Sequence, residues 1–556
     1  NRLFDMYKET VNGYIEKGYA SLLDSKAGFE SGRIWYLPHH PVLNPKKPDK
    51  VRVVFDCAAK YQGTSLNDNL LQGPDLTNSI TGVLMRFRQA PVALVADIEA
   101  MFHQVKVCEH DRDALRFLWW PQGNLQVEPN QYRMNVHLFG ATSSPSCAAF
   151  CLKLTANDNI DKFSREAVST VERNFYVDDL LKSVLDSSSG IRLTAELKEL
   201  LSLGGFRLTK WLSNCEHVMN SIPEADRAKS REKLDLDNEP SCERTLGLQW
   251  YVKQDQFAFD INLHDKGKTR RSILSVASSL YDPLGLVAPV TLIPKLILQR
   301  ACRLNLGWDE QIPDADAENW SQWLASLPAL SKVSISRCVI PSELDRSTLR
   351  AELHMFSDAS EYAYGSSAYL KVYDANGHSK CSLIIGKSRL APIKAMSIPR
   401  LELAAAVVAV KLYQIIVEEL DIQISERYFW TDSMIVLGYI RNETKRFKTF
   451  VANRLSIIHE MTSPHDWRYV PSKSNPADIA SRGIDPQEYE KLETWLVGPE
   501  FLKRNKAEWP VQVSNVVLHE DDIELKPQAC VLNTQGKCNS SMSALLNKFS
   551  DWRKLQ

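Results

Sequence analysis

The sequence predicts a multidomain protein of mixed α/β and α+β class. Its 556 residues favour roughly three to four domains, and 44% hydrophobic with 24% charged residues is typical of folded protein. Short strand patterns dominate residues 34–139, whereas residues 353–459 follow the order strand, strand, strand, helix, strand, helix. The second pattern indicates a separate α/β domain in the C-terminal half.

The N-terminal region is predicted to be a charged helical segment followed by two strands. The helical pattern covers residues 1–32, and the strands lie at 34–38 and 51–55. The second strand and the loop before it are basic, with Lys46, Lys47, Lys50 and Arg52. We interpret this hairpin as phosphate-facing, with a solvated surface hairpin as the alternative.

The central region is predicted to contain a strand that ends on an acid and a hairpin that carries two acids. The apolar run 92–95 precedes Asp97, and helices are predicted at 147–154 and 193–203. Apolar residues on both sides of Asp178 and Asp179 predict a tight hairpin with these acids at its tip.

The rest of the chain is predicted to form another hairpin, a helical region and the α/β domain. The hairpin spans 246–261, residues 270–345 are mainly helical, and the α/β pattern begins near Leu353. Residues beyond about Ile484 have little periodicity, so we interpret them as a linker. The chain begins at Asn1, and we expect it to be a segment of a longer protein.

Composition excludes a protein that coats nucleic acid through a uniformly basic surface. The chain has 67 basic and 68 acidic residues and a net charge of −1. This balance is still compatible with a localised basic groove that binds nucleic acid. Among eleven scattered cysteines, the close pair Cys147 and Cys151 lacks partners at zinc spacing, so we expect free thiols in a reducing compartment and no structural zinc. The apolar run 401–417 contains Glu402 and Lys411, which favours a core helix over a membrane span.

Asp97, Asp178 and Asp179 form the first candidate metal site. If the strand before Asp97 neighbours the acidic hairpin, the carboxylates converge. Two divalent cations about 3.5–4 Å apart could then be held for nucleotidyl transfer. Oxygen ligands suit Mg²⁺. The alternative for an isolated Asp-Asp pair is a surface turn.

A second candidate metal site comprises four acids in the C-terminal half. Asp358 lies on a strand, Glu402 on the helix after Pro399, Asp432 at a strand end and Asp478 at a helix start. Together they could hold two Mg²⁺ ions that activate water. The alternatives are exposed acids, or a helix cap in the case of Asp478.

The order of these motifs resembles the reverse transcriptases of long-terminal-repeat retrotransposons and retroviruses, and most closely the Bel/Pao group. The resemblance runs from Tyr36-Leu37-Pro38-His39-His40 to Ala480-Ser481-Arg482. It implies a right-hand polymerase followed by an RNase H-like α/β domain. The implied parts are an N-terminal helical segment (1–32), fingers and palm (33–255), a mainly helical thumb and connection (256–347), the RNase H-like domain (348–486) and a linker toward an absent integrase (487–556).

The resemblance also implies roles for residues around the first acidic set. Arg52, aided by Lys46, is similar to the residues that grip the incoming triphosphate, and Phe102 to the aromatic that excludes a 2′-hydroxyl. Phe139 and Gly140 match the segment that lines the nucleotide pocket, although the family frequently has Pro-Gln before this glycine.

The resemblance implies substrate-binding roles for two further segments. Lys210 is a weaker match to a lysine that assists triphosphate chemistry, and Gly247 to Trp250 resembles the primer grip. In the nuclease part, many family members carry a mobile His before the last acid, but the loop 470–476 has none. Either Lys473 takes over product release or turnover is slow. The basic stretch 441–454 grips the hybrid or is a solvated helix face.

The resemblance implies an RNA-directed DNA polymerase with RNase H activity, using two Mg²⁺ per active site, with Mn²⁺ possible in its place. Its expected partners are an RNA template, a DNA primer, the RNA–DNA hybrid and dNTPs, without a membrane. Protease and integrase domains of the polyprotein are expected outside this chain, and the location is expected to be cytoplasmic, within virus-like particles.

Three alternatives stay open. The first is a decayed or domesticated element that binds nucleic acid without catalysis, and the second is an RNA-templated RNA polymerase. The third is the aspartic peptidase of the same polyprotein family, but its Asp-Thr/Ser-Gly loop is absent and Asp186-Ser187-Ser188 does not supply it.

Overall fold

The computed structural model describes residues 2–23, 33–44, 47–228, 233–235, 247–261, 267–513, 518 and 521–526. The helices in these ranges are α1 (Arg2–Glu16), α2 (Ile80–Phe87), α3 (Ser144–Asn157), α4 (Arg165–Arg173), α5 (Ser187–Leu203), α6 (Glu216–Ser221), α7 (Arg270–Ser279), α8 (Ala288–Arg303), α9 (Asp314–Ser326), α10 (Ile398–Glu419), α11 (Met434–Arg441), α12 (Thr449–Met461), α13 (Ala477–Arg482) and α14 (Tyr489–Val497).

The strands are β1 (Ala20–Leu22), β2 (His39–Asn44), β3 (Lys47–Phe55), β4 (Val92–Ile98), β5 (Arg116–Trp119), β6 (Asn130–Met134), β7 (Phe175–Tyr176), β8 (Asp179–Val184), β9 (Leu208–Ser213), β10 (Lys233–Asp235), β11 (Gly247–Tyr251), β12 (Gln256–Asp260), β13 (Ile335–Ser336), β14 (Arg350–Ala359), β15 (Ala363–Tyr373), β16 (Ser379–Leu390), β17 (Glu426–Thr431) and β18 (Trp467–Tyr469). The predicted strand at 34–38 differs, because β2 begins only at His39 and Tyr36 makes a single bridge to Arg116.

Two sheets carry the acidic residues. The first has the strand order β7-β8-β4-β9, and all of its pairings are antiparallel. The second has the order β16-β15-β14-β17-β18, in which β14 pairs antiparallel with β15 and parallel with β17. This mixed sheet, with α10 connecting β16 to β17, confirms the predicted α/β pattern of the C-terminal half.

The central strand β14 is buried along almost its whole length, which is typical of a strand covered on both faces. Helix α10 packs against β14 and β15, and its buried residues include Leu403, Ala406 and Val410. This burial confirms that the apolar run 401–417 is a core helix. Within the described residues, no helix is both long and apolar enough to span a membrane.

A continuous apolar core joins the two sheets. It runs from α2 and β4, through the β11–β12 hairpin and helices α7 to α9, into the five-stranded sheet. Buried arginines reinforce the junction: Arg88 donates to the carbonyl of Leu383 at 2.8 Å, and Arg337 pairs with Asp255 while also donating to the carbonyl of Pro91 at 2.7 Å. The acidic regions of the two sheets therefore belong to one packed unit.

The chain after residue 487 differs from the predicted linker over its described part. It forms α14, and Trp495 is fully buried with its indole nitrogen donating to the carbonyl of Leu286 at 2.9 Å. Trp509 packs against Tyr428 and Trp430 on one face of the five-stranded sheet. These aromatic contacts make residues 487–513 part of the folded unit.

Candidate active sites

Three acids of the second sheet meet at one point. Asp358 lies near the end of β14, Glu402 in the first part of α10, and Asp432 directly after β17. Each offers a carboxylate oxygen, and these oxygens all lie within 4.8 Å of one another. Because β14 and β17 are parallel neighbours, their ends share one sheet edge, and α10 brings Glu402 to it. This group is called the nuclease triad below.

The nuclease triad concentrates negative charge in a poorly hydrated place. Burial raises the pKa of Glu402 to about 9 and that of Asp358 to about 7, and neighbouring carboxylates add to both shifts. Oxygen Oε2 of Glu402 is buried and accepts no hydrogen bond from the described residues. An unsatisfied carboxylate oxygen among like charges is costly, so the donor set fits a divalent cation.

Hydrogen bonds from the polar side chains of residues 472–481 orient the triad. The hydroxyl of Ser481 donates to Asp358, and Ser472 donates to Asp432 at 2.5 Å. Asn475 donates to the carbonyl of Ser357 at 3.1 Å. Sequence reasoning missed Ser472, Asn475 and Ser481; their nearness to Asp478 along the chain was the available signal.

The fourth predicted acid, Asp478, lies in the first turn of α13 but outside the 4.8 Å group. It is close enough that its charge raises the pKa of Asp358 and Glu402. The guanidinium of Arg482 donates to Asp478 at 2.6 Å. Lys473, predicted to assist product release, lies exposed in the turn Ser472–Ser474.

The first acidic set lies at one end of the first sheet. Asp97 of β4 pairs directly with Asp179 of β8, and the amide of Ile98 donates to the carbonyl of Asp178 at 2.9 Å. Strands β7 and β8 are joined by a two-residue turn in which Val177 has φ 54°. A β-branched residue in the left-handed region is strained, which is typical of functional sites. The predicted tight hairpin with acids at its tip is confirmed.

Burial and mutual repulsion also perturb these carboxyls. Burial, followed by the charges of Asp178 and Asp97, raises the pKa of Asp179 to about 8. Burial, followed by the charge of Asp97, raises the pKa of Asp178. The ammonium of Lys210 contacts Asp97 at 2.6 Å and supplies a positive charge at this cluster. Within the described residues, these three acids do not form a group as tight as the nuclease triad.

Several predicted substrate-binding residues form a row beside the acidic hairpin. The guanidinium of Arg52 lies 5.6 Å from the ring centre of Phe139, whose ring lies 4.6 Å from that of Phe102. The positive charge of Arg52 partly offsets the rise in the pKa of Asp178, so the row lies near the acids. Gly140 has φ 106°, and an added Cβ would lie 2.9 Å from the carbonyl oxygen of Phe55, so this position requires glycine.

Other predicted contacts are placed differently. Lys46 lies outside the described residues. Gly247 begins β11 and pairs with Asp260. The side chain of Trp250 is fully buried, and its indole nitrogen donates to Asp255 at 3.0 Å. The indole therefore holds the hairpin together, and the role of this segment as a primer grip stays a prediction.

The basic stretch 441–454 is divided between structural and exposed side chains. Arg441 donates to the carbonyls of Val513 and Trp467, and Arg454 stacks 3.4 Å from the ring centre of Phe450. Arg446 and Lys448 are exposed. The charge available to a ligand is therefore smaller than the sequence suggests.

The fold and the nuclease triad define the class: a protein with an RNase H-like domain joined to a second acidic sheet. Residues 269–433 match the family model described as the Pao retrotransposon-like RNaseH-like domain. No curated protein matches the chain in sequence. The family match covers less than a third of the chain, and the similarity agrees with the resemblance of the motifs to the Bel/Pao group.

Solved structures with a similar fold come from foamy virus. The protease–reverse transcriptase dRH in complex with double-stranded DNA has a TM-score of 0.51 and 13% identity, over 85% of this chain and 70% of that chain. The foamy viral protease–reverse transcriptase in complex with double-stranded DNA has a TM-score of 0.50 and 12% identity, over 85% of this chain and 83% of that chain. This likeness shows a shared fold over most of the chain.

Proposed function

We propose that the chain is an RNA-directed DNA polymerase with RNase H activity, which copies retrotransposon RNA and degrades the RNA of the resulting hybrid. One observation carries this proposal: a single packed unit holds two separate acidic groups, each at the end of a different sheet. A nuclease alone would need only the second group. The family match and the foamy viral folds support the same assignment.

The first sheet would be the palm of a right-hand polymerase, with β2 and β3 in the fingers and α7 to α9 in the thumb and connection. Asp97, Asp178 and Asp179 would hold two Mg²⁺ ions, which supply activation of the primer hydroxyl and neutralisation of the triphosphate. Arg52 would bind the triphosphate oxygens through its planar fork. Phe102 would contact the sugar, and Lys210 would release Asp97 when the cations bind.

The nuclease triad and Asp478 would hold the cations of the RNase H site. Mg²⁺, or Mn²⁺ in its place, would activate water and stabilise the leaving oxygen. Ser481 and Ser472 orient the ligands Asp358 and Asp432 before any cation arrives. The exposed Lys473 would approach the cleaved strand.

The partners that follow from this function are an RNA template, a DNA primer, their hybrid and dNTPs. The foamy viral relatives are described as bound to double-stranded DNA, which supports nucleic acid as the partner class. We further propose a cytoplasmic location within virus-like particles, with protease and integrase domains elsewhere in the polyprotein.

The decisive experiment incubates the purified chain with a labelled RNA template, a labelled DNA primer, dNTPs and Mg²⁺, and follows both strands. We expect primer extension and RNA cleavage together. Asp178→Asn should abolish extension and retain cleavage of a preformed hybrid, whereas Glu402→Gln should do the reverse. Extension by Asp178→Asn would refute the polymerase site, and hybrid binding without either reaction would favour the decayed element.

A further inference from the structure

A cavity of about 520 Å³ lies between the first sheet and the RNase H-like domain. One wall is formed by residues of α2, β8 and α5, and the other by residues 340–351 and 421–423. None of the seven predicted acids lines it. We call this space the junction cavity. Lys182, on its wall, is three positions after Asp179 on β8, so the two side chains leave opposite faces of the sheet.

Two cations of the junction cavity have no acidic partner. Among the described residues, neither Lys182 nor Arg346 makes a hydrogen bond or an ion pair within 4.0 Å. Burial lowers the pKa of Lys182, and the charges of Glu166 and Asp421, which lie beyond contact distance, offset this shift only in part. Nitrogen Nη2 of Arg346 is buried without an acceptor.

Two acids, Glu166 and Asp421, also line the cavity, and other cations already engage both of them. Glu166 pairs with Arg192 at 3.0 Å, and Asp421 pairs with Arg173 at 2.5 Å. Neither carboxylate neutralises Lys182 or Arg346 at contact distance. The described lining therefore contains two positive charges in excess of its close ion pairs.

The buried hydrogen-bonding groups of the described lining also include unpaired donors without unpaired acceptors. Besides Arg346, the nitrogens Nε of Arg86 and Nε2 of Gln89 are buried and donate to no described acceptor. No buried side-chain oxygen of the described lining lacks a donor. Buried polar groups are normally paired, so the cavity is short of acceptors rather than of donors.

We propose that the junction cavity binds the phosphate group of a small phosphorylated solute between Lys182 and Arg346. A phosphate dianion brings two negative charges and several acceptor oxygens, which match the two unpaired cations and the surplus of donors. The volume falls within the range of roughly 300–1,000 Å³ typical of small-molecule sites. Since the two cations come from opposite walls, the bound phosphate also ties the two halves of the molecule together.

The test is a calorimetric titration of the full chain with inorganic phosphate, without divalent cations and at constant ionic strength balanced with chloride. We expect saturable binding by the unaltered chain, with Kd raised about tenfold or more in Lys182→Met and in Arg346→Gln. Arg303→Gln is the matched control, because Arg303 is an exposed arginine of α8 outside the cavity, and it should bind as the unaltered chain does.

Equal affinity in the two cavity variants, or no saturable binding, would overturn the proposal. Displacement of phosphate from the cavity by a nucleic-acid duplex would overturn the assignment to a small solute. Thermal unfolding gives a second measurement that does not depend on either variant alone. Phosphate should raise Tm of the unaltered chain, and Lys182→Met should have a higher Tm than the unaltered chain in phosphate-free buffer, since it removes an unpaired buried cation.

Discussion

Glu402 and Asp179 show, at the scale of single residues, that ionisation of the carboxyls in the candidate sites is unfavourable in the folded protein. Glu402 is buried, Asp179 is half-buried, and both lie beside other acids, so their pKa values are raised to about 9 and about 8. In a metal-free protein, each group resists ionisation that the unfolded chain permits. Stability and cation binding are therefore coupled at these positions.

We predict that the metal-free chain loses stability as pH rises. The folded pKa values of Asp358, Asp179 and Glu402 are above the ordinary ones, so their contribution is fully present below about pH 4 and is lost as pH passes through about 7, 8 and 9. Thermal unfolding in EDTA between pH 5 and 9, compared with the same series in Mg²⁺, measures this. The double variant Asp179→Asn with Glu402→Gln should have a flatter profile; an equally steep one would contradict the assignment.

A second residue-scale prediction concerns sugar selection. Phe102→Ala should raise the ratio of ribonucleotide to deoxyribonucleotide incorporation by roughly tenfold or more, because selectivity by a ring without a hydroxyl is steric. Single-nucleotide primer extension measures the ratio. Phe150→Ala, which truncates an exposed phenylalanine, is the control. An unchanged ratio in Phe102→Ala would remove this residue from the sugar site.

Helix α14, at the scale of elements, depends on Trp495. This side chain is fully buried, and its indole nitrogen donates to the carbonyl of Leu286 at 2.9 Å. Trp495→Ala should destabilise the fold by about 3–5 kcal/mol, the usual cost of deleting a buried indole. Denaturant unfolding measures the loss, with Tyr489→Ala on an exposed part of the same helix as the control. Equal stability of the two variants would mean that α14 is peripheral.

Elements with a strong period were predictable, and those that depend on distant contacts were not. The α10 run and the acidic hairpin follow from apolar spacing and from acids placed at strand ends. The segment 487–513 gave little periodic signal, because its contribution comes from isolated aromatics such as Trp495 and Trp509 that find partners far along the chain. The burial of Trp250 could not be predicted, because a motif indicates a strand but not which of its faces is buried.

The candidate sites divide in the same way. Acids at strand ends were found because a charge that interrupts an apolar run is conspicuous. Ser472 and Ser481 were missed, since a hydroxyl in a polar loop carries no pattern of its own. Arg86, Arg88 and Arg337 could not be recognised as junction residues from sequence, because arginine is ordinarily a surface residue.

For the whole molecule, a localised basic surface is expected to bind the hybrid despite the net charge of −1. The double variant Arg446→Gln with Lys448→Gln should reduce the slope of log affinity against log salt by roughly 1–2, one unit for each lost phosphate contact. Hybrid affinity measured across a salt series gives the slope. Arg303→Gln with Lys332→Gln removes two exposed charges elsewhere and should leave it unchanged; an equal effect would indicate a general charge response.

The apolar core that joins the two sheets restricts how this molecule can be divided. A cut at residue 269, where the family match begins, would leave β12 on one fragment and its partner strand β13 on the other, and would divide the apolar core. Each fragment would expose apolar surface to water and would tend to aggregate. Recombination that exchanged only the C-terminal part would have the same cost, so we expect the two halves of the molecule, each with its own acidic group, to be inherited together.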